Sequence, residues 1–492
     1  MIDRLLQQLT YNADEPMLFS SGLFMFLFLG FTFVYMLLQR AQTARIAFVT
    51  LFSYYFYYKS SGLYFFLLAV VTVSDFLIAR GIESCMVRTR RLAARSLLVL
   101  SLAIDLGLLG YFKYTNFFGM LWADVVGANF QPYDIFLPVG ISFFTFQSLS
   151  YTIDVYRRQM KPLDSLLDYA FYVSFFPQLV AGPIVRARDF VPQIRRAVVI
   201  TDEMLARGAY LISIGLFKKA VISDYISLNF VDRVFDNPML YSGAENLMGI
   251  YGYTLQIYCD FSGYSDMAIG LALLLGFHFP VNFRSPYSSV SITDFWRRWH
   301  ISLSTWIRDY IYIFLGGNRR GKLRQYFNLI VTMLLGGLWH GASLSFVAWG
   351  GMHGLALAAH KLLRTLLGRD RHYESRGWRR FVGTVLTFHF VAFCWVFFRS
   401  SSFESAWAML QQIATNFHPE LMLQVAAGYK YVFMLMVFGY LTHFIPESWD
   451  NGIVRLLQRG GIAVSALLIV IVAYMVIQVK SSEIQPFIYF QF

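Results

Sequence analysis

The run Gly336-Gly337-Leu338-Trp339-His340-Gly341-Ala342-Ser343 places one imidazole between two apolar segments. Glycines on both sides of this imidazole permit close backbone approach and a non-helical turn. Histidine is the natural general base near neutral pH, so His340 is the first candidate catalytic residue. Trp339 and Ser343 are candidates for the wall of a tunnel around it. The structural alternative is a histidine that only packs between helices, and the sequence leaves that alternative open.

A second imidazole, His300, lies in a polar stretch that covers residues 291–310. Ser291 and Asp294 have the spacing of a capping box, which predicts that a helix begins here. Large side chains then recur at helical spacing on one face: Trp299, Leu303, Trp306 and Tyr310. Together with nearby arginines they predict an amphipathic helix at the cytoplasmic membrane interface. A surface anchor explains the tryptophans but does not easily explain His300.

Two carboxylates, Asp260 and Asp266, interrupt a long apolar region on either side of Gly263. Charged groups in such a region are expensive and are functional candidates by default. One interpretation is a proton-coupled transport site, and the other is a structural cluster that caps a helix broken at the glycine. Ser262 and Tyr264 belong to the same run and are candidates, with the carboxylates, for lining or supporting a tunnel.

A further polar stretch, residues 137–157, contains Gln147 among several hydroxyl-bearing side chains. Hydroxyl and amide groups commonly hold helices together inside membranes, which is the structural explanation of this stretch. Gln147 is also a candidate tunnel residue, because an amide group at membrane depth is costly unless it is used.

The composition indicates which elements position these residues. The chain has 492 residues, of which 57% are hydrophobic and only 14% are charged, against about 25% charged in a typical soluble domain. Most of its surface must face lipid, so we expect an all-α membrane protein with about 11–12 spans. The predicted spans are 17–38, 46–58, 62–79, 97–118, 135–156, 204–222, one crossing within 244–279, 326–340, 342–360, 381–398, 429–446 and 461–479.

The net charge of +12 comes from short basic clusters between apolar runs. This pattern is typical of cytoplasmic loops and does not indicate a nucleic-acid-binding face. The alternation of basic and basic-poor loops places the N-terminus and the C-terminal tail outside. No linker divides the chain, so residues 1–492 are interpreted as a single transmembrane domain.

The segment 166–182 breaks this alternation, since a full crossing would leave four arginines outside. Pro177, Gly182 and Pro183 are unfavourable in a continuous helix. A re-entrant hairpin resolves both problems. Such backbone is tolerated at membrane depth only inside protein or beside a cavity, so the segment is predicted to wall an internal chamber.

The polar stretches together resemble the membrane-bound O-acyltransferase (MBOAT) family, in the bacterial branch of alginate and peptidoglycan O-acetyltransferases and the related D-alanyl transferase. The matching motifs occur in order over most of the chain: residues 137–157, 175–190, 252–266, 282–286, 296–309, 338–343 and 350–354. The resemblance implies a ring of helices around a central tunnel. It also implies that His340 is catalytic and that His300 occupies a second functional position.

The resemblance further implies transfer of an acetyl group from a cytoplasmic thioester, either acetyl-CoA or another carrier, for O-acetylation of an extracytoplasmic polysaccharide. No bound cofactor or metal is expected. His340 would deprotonate the accepting hydroxyl, and His300 would orient it or polarise the thioester carbonyl. Four arginines are candidates for binding donor phosphates, with ordinary cytoplasmic charge bias as the alternative: Arg297, Arg298, Arg319 and Arg320.

The expected location is the bacterial inner membrane, and the expected partner is a separate extracytoplasmic acetyltransferase that serves the polysaccharide acceptor. Two other functions stay open. One is D-alanyl or other acyl transfer to a cell-envelope polymer, and the other, of a different class, is proton-coupled glycan transport.

The last six residues, Phe487-Ile488-Tyr489-Phe490-Gln491-Phe492, are aromatic although the topology places them outside. They resemble the acyl-carrying C-terminus of the small one-span protein that accompanies the D-alanyl transferase. Tyr489 has the only hydroxyl among them and is the candidate acyl relay. The alternative is a tail that merely packs at the membrane interface.

Overall fold

The computed structural model of the protein describes residues 8–13, 16–180, 182–368 and 376–479. Every regular element within these ranges is a helix, and no strand occurs in them. The predicted all-α fold is therefore confirmed. The chain divides into two compact units, Met1–Gly208 with Met267–Pro280 and Ala209–Asp266 with Val281–Phe492. The interpretation as one transmembrane domain stays a prediction.

The first unit consists of nine α-helices and the beginning of a tenth among the described residues. They are α1 Gly22–Leu37, α2 Gln42–Ser61, α3 Phe65–Val87, α4 Arg91–Leu109, α5 Thr115–Val126, α6 Ile141–Tyr156, α7 Leu166–Ser174, α8 Phe176–Leu179, α9 Ala187–Ile194 and the start of α10 Asp202–Leu216. An aromatic core surrounds the α8 residue Phe176, whose ring centroid lies 5.5 Å from that of Phe31 and 5.2 Å from that of Phe52.

The second unit begins within α10 and shares α13 with the first. Its helices are α11 Asp224–Ile226, α12 Asp232–Asp236, α13 Gly243–Leu274, α14 Ile292–Arg298, α15 Ile301–Ile307, α16 Lys322–His340, α17 Leu344–Leu366, α18 Trp378–Arg399, α19 Phe403–Thr415, α20 Met422–Gly428, α21 Lys430–His443 and α22 Glu447–Val479. Short π-helical segments connect or extend helices at Gly110–Tyr114, Phe217–Ser223, Ser227–Val231 and Arg308–Tyr312. Turns of 3₁₀ helix cover Gly62–Tyr64, Pro238–Leu240, Pro286–Ser288 and Pro419–Leu421.

Four helical stretches of the described chain are long and apolar enough to cross a bilayer: Gln42–Val87, Arg91–Val126, Trp378–Arg399 and Glu447–Val479. The pair Pro419–Gly428 and Lys430–His443 meets the same criterion together and is bent by 98°. Several other predicted spans coincide with helices that are shorter or more polar. The chain thus has several membrane-type helices, and the total of 11–12 crossings stays a prediction.

The proline-containing segment 166–182 does not form one continuous helix. α7 ends at Ser174, and α8 begins at Phe176 after a residue with a non-helical backbone, Phe175. Phe175, Phe176 and Gln178 are fully buried. These observations agree with an interrupted hairpin, while its predicted role as a chamber wall stays a prediction.

Two predictions about local structure are wrong. The helix containing Asp260 and Asp266 is not broken at Gly263, because α13 is continuous over Gly243–Leu274. A Cβ atom on Gly263 would lie 2.7 Å from the carbonyl oxygen of Gly215. This glycine therefore permits close packing of two helices and does not end one.

The second wrong prediction is the continuous surface helix over residues 291–310. The capping box is present, since Ser291 Oγ accepts from the Asp294 backbone N–H at 3.2 Å. However, the chain leaves the helix at Trp299 and His300, where His300 has φ 43° and ψ 56°. The predicted lipid-facing side chains are all buried within the unit: Trp299, Leu303, Trp306 and Tyr310. Helical spacing indicates that a face is covered, but it does not distinguish lipid from protein as the cover.

Candidate active site

His340 is the last residue of α16, at the turn that leads into α17. The two helices pack unusually closely, because Cβ atoms on Gly337 and Gly350 would lie 2.2 Å and 2.3 Å from backbone oxygens of the other helix. Ser343 Oγ accepts from the Phe346 backbone N–H at 3.4 Å and so caps the start of α17. The glycine bracket predicted around His340 is thus a tight helical hairpin that fixes the imidazole.

The His340 ring is only 3% exposed and is surrounded by aromatic side chains. Its centroid lies 5.1 Å from Trp349 and 5.4 Å from Phe398, both in edge-to-face geometry. The ring of the preceding residue, Trp339, lies 5.0 Å away. Aromatic edges and faces fix the orientation of an imidazole without adding charge.

His300 lies between α14 and α15 and is fully buried. Its Nδ1 is 3.1 Å from Oδ1 of Asn282, and its ring stands edge-to-face on Phe261 at 4.5 Å. Burial lowers the pKa of His300 to about 3, because a charged imidazolium is disfavoured away from water. His300 is therefore neutral at physiological pH.

The two predicted catalytic histidines belong to one aromatic cluster. The Trp339 ring centroid lies 6.1 Å from that of His300 and 5.0 Å from that of His340. Trp339 itself is 4% exposed. The sequence correctly selected three residues that meet in space, although 40 positions separate the histidines in the chain.

A third buried histidine, His353 on α17, was not selected from the sequence. It is fully buried, and its ring lies 4.8 Å from that of Trp349, which also contacts His340. Trp296 Nε1–H donates a hydrogen bond to His353 Nδ1 at 3.2 Å. A usable signal was present, because His353 follows Trp349 by one helical turn within the motif at 350–354.

Asp260 and Asp266 form ion pairs with lysines that sequence analysis missed. Lys219 Nζ lies 2.5 Å from an Asp260 oxygen and 2.8 Å from an Asp224 oxygen. Lys218 Nζ lies 2.8 Å from an Asp266 oxygen. These pairs favour the structural interpretation of the carboxylates over a proton relay, because each negative charge is held by a fixed cation.

The remaining tunnel candidates lie in different places. Ser262 and Tyr264 are each 1% exposed on α13 in the second unit. Gln147 is fully buried on α6, which belongs to the first unit. Their predicted roles beside a tunnel stay predictions. Tyr489, the predicted relay residue, lies outside the described residues.

The predicted donor arginines separate into two pairs. Arg297 and Arg298 line a cavity of about 950 Å³ in the second unit, whereas Arg319 and Arg320 do not line it. The same cavity is lined by basic residues that the sequence did not single out: His360, Arg364, Arg379 and Arg380. Among the described residues that line this cavity, one carries a carboxylate, Asp294, which is paired with Arg298 at 3.0 Å.

A second cavity of about 600 Å³ adjoins this one and shares four lining residues with it: Thr293, Arg297, His360 and Arg364. It adds Arg308, Lys322 and Lys361 to the basic lining. The two cavities therefore form one strongly positive region that attracts anionic groups, phosphates included.

Comparison with known proteins shows which family this chain resembles. The family model of MBOAT, the membrane-bound O-acyltransferase family, matches residues 157–407, which include both catalytic candidates and most of the basic region. A probable alginate O-acetylase AlgI of Pseudomonas aeruginosa is 43% identical over 401 residues, covering 80% of this chain and 74% of that protein.

Two further relatives extend the match. A probable alginate O-acetylase AlgI of Azotobacter vinelandii is 37% identical over 514 residues, covering 97% of this chain and 100% of that protein. A peptidoglycan O-acetyltransferase of Helicobacter pylori is 37% identical over 425 residues, covering 80% of this chain and 79% of that protein. The chain belongs to the membrane-bound O-acyltransferase family. It is accordingly a multi-pass membrane protein and an O-acyltransferase.

Proposed function

We propose that the protein transfers an acetyl group from a cytoplasmic thioester donor across the inner membrane, for O-acetylation of an extracytoplasmic polysaccharide. The meeting of His340 and His300 around Trp339 carries this proposal, because it provides two imidazoles within one buried aromatic cluster. The names of the relatives support acetyl as the group and a cell-surface polymer as its destination.

In the proposed reaction, His340 takes the proton of the accepting hydroxyl, whose oxygen attacks the thioester carbonyl carbon. The carbon–sulfur bond breaks, and the released thiolate receives the proton. His300 orients the hydroxyl or polarises the carbonyl. General-base assistance of this kind contributes roughly 100- to 10,000-fold, and the remainder comes from holding both substrates together in a water-poor site.

We assign the donor to the positive region lined by Arg297 and Arg298. A thioester carrier bears phosphate groups, and the surplus of arginine over carboxylate in this cavity provides a matching field. Arg364, Arg379 and Arg380 extend the assignment, whereas Arg319 and Arg320 have no such support from the cavity. The donor is proposed to be acetyl-CoA or another phosphate-bearing acetyl carrier.

On the outer side we propose that Tyr489 accepts the acetyl group and passes it to a separate acetyltransferase, which modifies the polysaccharide. The proposal rests on the aromatic tail sequence and on its predicted outside location. A Tyr489→Phe variant is expected to lose glycan acetylation while donor binding persists. Wild-type acetylation in that variant would eliminate the relay.

The test is incubation of membranes, containing either wild-type protein or His340→Ala, with acetyl-CoA labelled in the acetyl group. We expect labelled protein or sugar from the wild type only. Equal labelling by the two samples would overturn the assignment of His340. Transfer from a D-alanyl carrier with none from acetyl-CoA would indicate the D-alanyl function, and glycan movement without donor consumption would indicate a transporter.

A further inference from the structure

Asn282 is the polar residue in closest contact with His300 among the contacts described. Its side chain is fully buried in the segment that follows α13. Oδ1 of Asn282 lies within hydrogen-bond distance of three groups: His300 Nδ1 at 3.1 Å, the Ser302 backbone N–H at 3.2 Å and Ser302 Oγ at 2.9 Å. At the other end of the amide, Nδ2 donates to Ser265 Oγ on α13 at 3.1 Å. The amide therefore ties the turn that carries His300 to α13.

These contacts fix which end of the amide faces His300. A backbone N–H can only donate, so the atom facing the Ser302 N–H must be the oxygen of Asn282 and not its nitrogen. An amide oxygen can only accept, so His300 Nδ1 must bear the proton in the bond between them. A neutral imidazole carries one proton, and Nε2 of His300 consequently holds the lone pair.

The backbone holds the imidazole in this position as well. His300 has a left-handed conformation, with φ 43°, which is uncommon for a residue with a side chain. The next residue, Ile301, donates its N–H to the backbone oxygen of Asn282 at 2.9 Å. Asn282 thus binds the turn through both its backbone and its side chain, and the Phe261 ring packs against one side of the His300 ring.

We propose that Asn282 is a positioning residue that keeps the His300 proton on Nδ1, so that Nε2 accepts the single hydrogen bond of the entering hydroxyl and orients it before His340 removes that same proton. In this tautomer Nε2 has no hydrogen to donate to the thioester carbonyl. Of the two roles open for His300, the structure therefore favours orienting the hydroxyl. The low pKa of His300 agrees, since it keeps the imidazole neutral. This inference rests on the proposed acyl transfer.

The first test compares Asn282→Leu with Asn282→Asp in purified protein, with acetyl-thioester consumption as the assay. Leucine has a similar size but removes the acceptor, so kcat is expected to fall roughly 100-fold. The donor KM is expected to stay within about twofold of the wild type, because Asn282 is fully buried and does not line the cavities to which the donor is assigned. Aspartate keeps an acceptor for His300 and for Ser302, and it is expected to recover at least about tenfold in kcat over leucine.

Asn246→Leu is the matched control. Asn246 is also fully buried on α13 and donates to three backbone oxygens, those of Pro238, Tyr241 and Ser242. Its loss destabilises the fold without touching His300, so kcat per folded molecule is expected to stay near the wild-type value. Equal kcat in wild type and Asn282→Leu, or equal losses in the Asn246 and Asn282 leucine variants, would overturn the positioning role.

The second test does not depend on activity. Solid-state NMR of lipid-embedded protein with 15N-labelled histidine distinguishes a protonated ring nitrogen from one that bears a lone pair. The His300 signal is identified by its loss in His300→Gln. A protonated Nδ1 supports the inference, and a protonated Nε2 overturns it. If Nδ1 is protonated while the wild type consumes no acetyl thioester, the tautomer assignment stands and the proposed function fails.

Discussion

Two buried polar clusters in the same unit of the protein differ in the groups that surround their polar side chains. Around Lys219, two carboxylates hold one cation at short distance, and Lys218 forms a separate pair with one carboxylate, that of Asp266. Around His340 and His300, the described contacts include aromatic rings and the neutral amide of Asn282. A charge held in a fixed ion pair contributes little to binding or reacting with a substrate, whereas an imidazole that keeps a lone pair can accept a hydrogen bond or a proton from it. The first cluster is therefore expected to stabilise the fold and the second to perform the chemistry.

The largest effect expected from this comparison is the loss of turnover in His340→Gln. Glutamine keeps a polar side chain of similar size but is not a base, so turnover should fall roughly 100- to 10,000-fold. This corresponds to about 3–5 kcal/mol in the activation free energy. Thioester consumption by purified protein in lipid measures the effect, and the thermal unfolding midpoint reports stability in the same samples. A variant that keeps more than a tenth of wild-type turnover would remove His340 from the reaction.

Lys219→Met should show the reverse behaviour, with a large loss of stability and little loss of turnover per folded molecule. Removing the cation leaves Asp224 and Asp260 without this partner inside the protein, and breaking a buried pair typically costs about 3–5 kcal/mol. The measurement is the thermal unfolding midpoint of the protein in lipid. Turnover is then divided by the number of folded molecules, which is counted from the occupancy of the active site. Adding Asp260→Asn to the variant should recover part of the loss, because one buried charge is then removed.

A stable but inactive Lys219→Met protein would contradict this division. It would indicate that Asp260 takes part in the function and would favour the proton-relay interpretation. The same result in Lys218→Met would implicate Asp266, since Lys218 and Asp266 form the neighbouring pair.

The sequence identified which residues of this unit meet in space better than it predicted their local geometry. His340 was recognisable because an isolated imidazole between apolar segments requires a reason, and His300 because a surface anchor does not easily explain a histidine in its stretch. Lys218 and Lys219 were missed because they lie at the end of a predicted span, where lysine is common at a membrane interface. Only their distances to Asp260 and Asp266, which are more than 40 residues away in the chain, show that they are partners.

The role of Asn282 was beyond sequence analysis for a different reason. Its hydrogen bonds depend on the left-handed turn at His300, and helical spacing in residues 291–310 predicted no turn there. Gly263 shows the same limit, because a glycine that permits close helix packing has the same sequence signal as one that ends a helix. Local patterns identified the residues, and contacts between distant segments decided what they do.

Gly350→Ala tests the hairpin that fixes His340, and its expected effect is intermediate. A Cβ at this position would lie 2.3 Å from the carbonyl oxygen of Met333, so α16 and α17 must separate. Overpacking of this kind costs about 1–3 kcal/mol, and turnover should also fall because His340 ends α16. The adjacent Gly351→Ala is the matched control, since its Cβ would first meet a flexible Leu334 side chain at 3.4 Å. Equal unfolding midpoints in the two variants would show that the hairpin tolerates wider spacing.

The smallest expected effect concerns His353, a buried histidine whose ring contacts that of Trp349. Trp296→Phe removes the N–H that donates to His353 Nδ1 while it keeps an aromatic ring. If His353 only packs, the loss is that of one partly buried hydrogen bond, about 0.5–1.5 kcal/mol in unfolding free energy, and turnover stays unchanged. Trp407→Phe, at a tryptophan that is 68% exposed, should alter neither quantity. A stable Trp296→Phe protein with clearly reduced turnover would instead indicate that His353, like His340 and His300, affects the reaction. The loss of the Trp296 hydrogen bond would then have changed which ring nitrogen of His353 is protonated, and turnover would depend on that nitrogen.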